Sequence, residues 1–168
     1  DISKEQEYQA LNLAKGLGRI HVIAKLDDHV EIGFNEILVL DEVPIQLPPV
    51  AGIITSQPST PLSHINLLAK GWGIPNAYIK NAKELLKQYD GWWVEFDARR
   101  DTYTIKRADN TALDEYQKRL MQRLDMTSED ESKLAELNDS GVSFAEIADW
   151  IEARWTKGED IANALLEQ

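Results

Sequence analysis

Gly52-Ile53-Ile54-Thr55-Ser56-Gln57-Pro58-Ser59-Thr60-Pro61-Leu62-Ser63-His64 is the stretch whose reading decides the fold of this chain. It passes from an unbroken apolar run, through a polar loop braced by two prolines, into a segment with helical spacing. Apolar runs without alternation, here Ile37-Leu38-Val39-Leu40 and Val50 to Thr55, fit strands covered on both faces, the habit of parallel sheets. Thr60 suits a helix N-cap and Pro61 the first helical position, so a helix is predicted from Pro61 to Lys70. Ile65, Leu68 and Ala69 form its buried stripe, and Gly71 and Gly73 end it.

Working outward, all six prolines lie between Pro44 and Pro75, where connections must be sharply shaped. Upstream, Ser3 and Gln6 have capping-box spacing, which predicts a helix from Ser3 to Ala14, ended by Gly16 and Gly18. Arg19 to Leu26 alternates and reads as a strand with Arg19, His21 and Lys25 on a wet face. Downstream, Ala77-Tyr78-Ile79 is a short strand and Asn81 to Tyr89 a helix with Leu85 and Leu86 inward. Trp92 to Asp97 and Thr102 to Ile105 form a hairpin, and at least one of Trp92 and Trp93 is expected in the core. This order predicts an α/β body with a mixed, largely parallel central sheet. After Arg107 the pattern is helical: stripes run through Leu113, Tyr116, Leu120 and Leu124, through Phe144, Ile147, Ala148 and Ile151, and through Ile161, Leu165 and Leu166. Ser128/Glu131 and Ser143/Glu146 have capping-box spacing. Three segments result: 1–16, a helix or linker; 17–108, the α/β body; and 109–168, a short all-helical acidic appendage or linker.

Composition narrows the function. Of 168 residues, 43% are hydrophobic and 28% charged, which suits a globular chain with a real core and excludes disorder of the whole. No apolar run approaches the ~18 residues of a membrane span. Without cysteine there is no disulfide, no thiolate chemistry and no zinc–thiolate site. The net charge is −11: residues 1–109 carry 12 Lys/Arg against 15 Asp/Glu, and residues 110–168 carry 6 against 14. Neither part offers the basic surface that nucleic acid demands. Residue 1 is Asp and no signal peptide opens the chain, so a piece of a longer cytoplasmic protein is expected.

His64 is the residue that looks chemical. In a first helical turn it stands near the positive end of the helix dipole. That field favours a neutral, nucleophilic imidazole, and it stabilises a dianionic group attached to the ring. His21 reads as a surface residue, and His29 beside Asp27 and Asp28 as part of a solvated turn. Arg99 and Arg100 read as a charged hairpin tip. Adjacent Ser63 and His64 point apart on one turn, which disfavours a Ser–His hydrolase. No glycine-rich phosphate loop with lysine and no paired catalytic carboxylates are found.

Three blocks, Gly52-Ile53-Ile54-Thr55, Leu62-Ser63-His64-Ile65-Asn66-Leu67-Leu68-Ala69 and Gly73-Ile74-Pro75-Asn76-Ala77, together resemble the phosphohistidine swivelling domain of PEP-utilising enzymes. That family includes phosphoenolpyruvate synthase, pyruvate phosphate dikinase and the glucan water dikinases. Glu36 to Leu40 matches the strand before the loop and Gly91 to Ile105 the closing hairpin, so the resemblance spans roughly residues 17–108. It implies a swivelling β/β/α domain that carries a phosphoryl group on His64 from an ATP-grasp nucleotide site to an acceptor such as pyruvate. It places ATP and magnesium in partner domains, implies no cofactor in this chain, and implies flexible ends, for which Gly16/Gly18 and Arg107–Asp109 are the candidate hinges. The family's two glycines are here Ser59 and Thr60, and its threonine, which orients the imidazole, is Leu62. Ser63 and Thr60 are the residues left to supply a hydroxyl to the ring or phosphate. The Pro-Leu-Ser-His form looks more like the dikinase-related branch of PEP-synthase-like proteins than the phosphotransferase-system enzyme. The competing expectation is a non-catalytic interaction module that keeps this fold.

Overall fold

The computed structural model describes residues 7–27, 29–123, 126–142, 146–147 and 149–151. Two compact units divide at Ala108/Asp109. The first is a seven-stranded sheet: β1 (Tyr8–Asn12), β2 (Ala14–Ile23), β3 (Glu36–Leu40), β4 (Gly52–Thr55), β5 (Asn76–Ile79), β6 (Trp93–Ala98) and β7 (Tyr103–Arg107). Its order is β1-β5-β4-β3-β2-β6-β7. The four central strands, β2 to β5, are mutually parallel, and β1, β6 and β7 are antiparallel to their neighbours. The chain is thus a mixed α/β protein, as its pattern of apolar runs predicts. All five residues of β3 and all four of β4 are buried, the parallel-sheet signature read from those runs.

The sheet curls until its edges meet. Tyr8 on β1 and Tyr103 on β7 stack with ring centroids 5.2 Å apart, and the Tyr8 hydroxyl donates to the Arg99 carbonyl at 2.6 Å. The concave face buries Ile20, Ile37, Val39, Ile54, Val94 and Phe96. The helix α1 (His64–Trp72) lies on the other face, placing Ile65, Ala69 and Trp72 with Leu38, Leu40 and Ile53. Burying each of the Val, Leu, Ile and Phe side chains among these is worth about 1.5–3 kcal/mol. A short helix, α2 (Ala82–Leu86), adds Ala82 and Leu86 to the concave core, and a 3₁₀ turn follows over Lys87–Tyr89.

Several expectations change here. Residues 8–12 and 14–23 are strands, so the predicted helix Ser3–Ala14 fails where the structure describes it; Ser3 and Gln6 lie outside the described residues. Gly16 and Gly18 neither end a helix nor lie at a free end suited to a hinge. They sit inside β2, opposite Phe96 and Val94, where backbone crowds them. A Cβ at Gly16 would lie 2.5 Å from the Ala51 carbonyl oxygen, and one at Gly18 2.5 Å from that of Asn35. Strand β2 stops at Ile23, leaving Lys25 and Leu26 in the following loop. Leu85 is 50% exposed while Leu86 is buried, because consecutive helical residues point about 100° apart and only Leu86 faces the sheet. Neither Trp92 nor Trp93 is a core residue: Arg107 stacks over Trp92 at 4.4 Å and Arg19 over Trp93 at 6.0 Å.

The second unit contains α3 (Asn110–Arg123), capped by the Asp109 side chain, and α4 (Ser128–Asp139). The cap of α4 is Thr127 with Asp130, one residue before the predicted Ser128/Glu131 pair. Leu134, Ile147 and Ile151 are buried, whereas Leu113 and Tyr116 are half-buried. The side chain of Leu120, and Leu124, Ser143, Phe144, Ala148, Ile161, Leu165 and Leu166, lie outside the described residues. Among the described residues no helix is long and apolar enough to cross a membrane.

Candidate functional site

The loop between β4 and α1 leaves the carboxyl end of a central parallel strand, where open α/β sheets commonly place ligand sites. Thr55, buried at the end of β4, donates its hydroxyl to the Gln57 carbonyl at 3.0 Å and starts the turn. Ser56 N–H still reaches the Leu40 carbonyl at 2.9 Å, so the loop departs from a fully paired strand. Thr60-Pro61-Leu62-Ser63 then forms a reverse turn, closed by the Ser63 N–H on the Thr60 carbonyl at 3.1 Å. Pro61 occupies the second turn position, where its fixed φ belongs.

Helix α1 therefore starts three residues later than predicted. Ser63, not Thr60, is the N-cap: its Oγ accepts from the Asn66 N–H at 3.4 Å, and its carbonyl accepts from the Leu67 N–H at 3.0 Å. Thr60 and Pro61 form the preceding turn because Ser63 caps equally well and its N–H is spent closing that turn. The other end runs on to Trp72, so Gly71 is helical. Gly73 alone ends it, with φ 69° and its N–H on the last carbonyls, a conformation that favours glycine.

His64 is the first residue of α1, and it is solvent-exposed. Its neighbours Leu62 and Leu67, one before the cap and one turn on, are 80% and 50% exposed. Of the other predicted site residues, Ser63 adjoins His64 with its hydroxyl oxygen engaged as the cap. Thr60 contributes its carbonyl: that oxygen accepts from Ser63 N–H and from Asn66 Nδ2 at 2.6 Å. The arrangement presents one imidazole at a helix N-terminus, suited to accepting an anionic group. An open groove of about 1080 Å³ lies beside this end of the sheet, lined in part by Leu26, Val30, Leu40, Val43 and Leu47, but His64 does not line it.

Two buried asparagines were not picked out by the sequence reading as site residues. Asn66 is 3% exposed and donates from Nδ2 to Ser59 Oγ at 2.9 Å as well as to Thr60. Asn76, 1% exposed at the start of β5, donates from Nδ2 to Asn66 Oδ1 at 2.7 Å. The available signal was an amide on the buried side of α1 beside Ile65 and Ala69, since buried polar groups need partners.

His21 is more than a surface residue. Its Nδ1 lies 3.1 Å from Glu36 Oε1, and that buried carboxylate also accepts from Gly33 N–H at 2.8 Å and faces Arg19 at 3.8 Å. The cluster sits at the amino end of β3, away from the His64 loop. His29 is exposed, and its N–H donates to Asp27 Oδ1 at 2.8 Å, while Asp28 lies outside the described residues. Arg99 pairs with Asp97 at 2.9 Å in the hairpin turn. Among the described residues no group of three or more His, Cys, Asp or Glu side chains could hold a metal ion. Compared with protein-family models and with curated proteins, the chain matches none.

Proposed function

We propose that this chain is the phosphohistidine-carrying domain of a PEP-synthase/dikinase-like phosphotransferase, with the swivelling β/β/α fold and a helical segment after it. The observation that carries the reading is the exposure of His64 at the first position of α1. A ring nitrogen attacks a phosphoryl group of ATP held by an ATP-grasp partner. The P–N bond forms as the P–O bond to the nucleotide breaks, and the nucleotide oxygen keeps the electron pair. In the second transfer the P–N bond breaks and a P–O bond forms to an acceptor such as pyruvate. Catalysis of such transfers is mostly positioning and charge neutralisation, so magnesium and the cationic groups belong to the partner sites. The chain's own part is to hold the ring in the open and stabilise the dianion it receives, an effect of about 0.3–1 kcal/mol at a helix N-terminus. Exposed Leu62 and Leu67 flank the histidine as an apolar rim for docking. A non-catalytic module is the second reading, favoured by Leu62 standing where the resembled family has a threonine.

The test uses phosphoramidate on the whole chain, with acid-labile label mapped by peptide mass spectrometry. His29, exposed in a turn, is the internal control. Label on His64 should form about two- to fivefold faster than on His29, the factor that about 0.3–1 kcal/mol of dipole stabilisation supplies. Loss of that label in His64→Ala is expected. A His64 rate no higher than that of His29 would favour the inert module.

A further inference from the structure

We propose that the buried Asn66–Asn76 amide pair sets the position of the His64 imidazole; this rests on the phosphocarrier reading. The segment 59–63 that delivers His64 has little of its own to fix it. Leu62 has no polar side-chain atom and is 80% exposed, and the Ser63 oxygen is taken by the cap. Asn66 supplies what is missing. Its backbone N–H meets Ser63 Oγ, its two Nδ2 protons meet Ser59 Oγ and the Thr60 carbonyl, and its Oδ1 receives Asn76. The loop is thereby tied to the second residue after His64 on the same helix, and through Asn76 to β5. Both lone pairs of the Thr60 carbonyl are used, by Ser63 N–H and by Asn66, so the turn before the histidine cannot rotate without breaking two bonds. The Asn66 amide is buried with both donors and its oxygen engaged, which makes it costly to disturb, although Asn76 Oδ1 has no partner among the described residues. Asn66 and Asn76 are positioning residues: they do not touch the phosphoryl group.

Asn66→Asp tests this in the whole chain. It is nearly isosteric, keeps an acceptor for Asn76, suits the first turn of a helix, and removes both donors. The His64 phosphoramidate rate, relative to His29 in the same molecules, should fall about tenfold, as expected for two lost hydrogen bonds, and hydrogen exchange of the Ser63 amide should accelerate. Asn66→Leu, which removes both donors without adding a charge, should lower the ratio in the same direction, because salt screens a charge buried at this position only weakly. Ser59→Ala, in a half-buried loop position, removes one acceptor and should give a smaller change in the same direction. An unchanged rate ratio and unchanged Ser63 exchange in all three variants would overturn the proposal, as would a rate loss confined to Asn66→Asp. Should the wild-type chain take no label on His64, the phosphocarrier reading fails, and Ser63 exchange together with the His64 ring ¹⁵N shifts decides the positioning claim separately.

Discussion

Replacing Gly18 by alanine separates two accounts of the same residue. If Gly18 were a swivel hinge, alanine would stiffen it, slowing transfer and leaving stability unchanged or slightly raised. The structure predicts the reverse. Gly18 lies in β2 between β3 and β6, and its new Cβ would meet the Asn35 carbonyl oxygen at 2.5 Å, Ala51 Cβ at 2.9 Å and Ile37 Cγ1 at 3.1 Å. The first of these cannot move aside cheaply: the Asn35 carbonyl accepts from Arg19 N–H at 2.8 Å, the residue next to the substitution. Ala51 is held too, with its N–H on the Glu36 carbonyl at 2.8 Å. Overpacking against such neighbours costs about 1–3 kcal/mol. With a urea slope of about 1–2 kcal/mol per molar, the midpoint should drop by roughly 1 M. Unfolding followed by tryptophan fluorescence, with Trp150 and Trp155 of the second unit replaced by phenylalanine so that Trp72, Trp92 and Trp93 report, reads this, with near-UV circular dichroism as a second probe. The phosphoramidate rate of His64 in the remaining folded protein should be unaltered. A midpoint shift below about 0.2 M would refute the packing account.

Two further outcomes are expected. Burial pushes the Tyr8 phenol up to about 12 and raises that of Tyr103, so the folded state holds these protons more tightly than the unfolded chain. The resulting stability is complete below pH ~10 and is lost as pH rises towards 12; Tyr8→Phe should flatten that alkaline loss in urea midpoints compared between pH 9 and 11.5. Leu62→Ser should leave the phosphoramidate rate of His64 within about twofold, while weakening transfer that depends on docking to an ATP-grasp partner. Equal loss in both assays would place Leu62 at the ring instead of the rim.

The exposure of Leu62 shows why local reading reached the site but not its support. The apolar runs 37–40 and 50–55 and the hairpin from Trp93 to Arg107 each carry their structure within a few residues, so they were legible. The helix start slipped from Pro61 to His64 because Thr60 and Ser63 are both competent caps, and only the closed turn chose between them. Tyr8 to Ile23 was misread at its start because capping-box spacing and glycines are local signals. Pairing of Tyr8 with Ile79 and of Gly16 with Phe96 is settled by distant partners. Likewise a glycine is ambiguous until its neighbours are known, and those of Gly18 come from residues 35 to 51.

By itself, then, the sequence determined the α/β class, the buried parallel strands and the histidine at the head of a helix, since strand burial, turn chemistry and capping depend on adjacent residues. Only the tertiary structure decided that the sheet curls until Tyr8 meets Tyr103, and that Asn76 reaches under the loop to Asn66. Those contacts join residues 95 and 10 positions apart across separate elements, and no local preference encodes such a pairing before the sheet has closed.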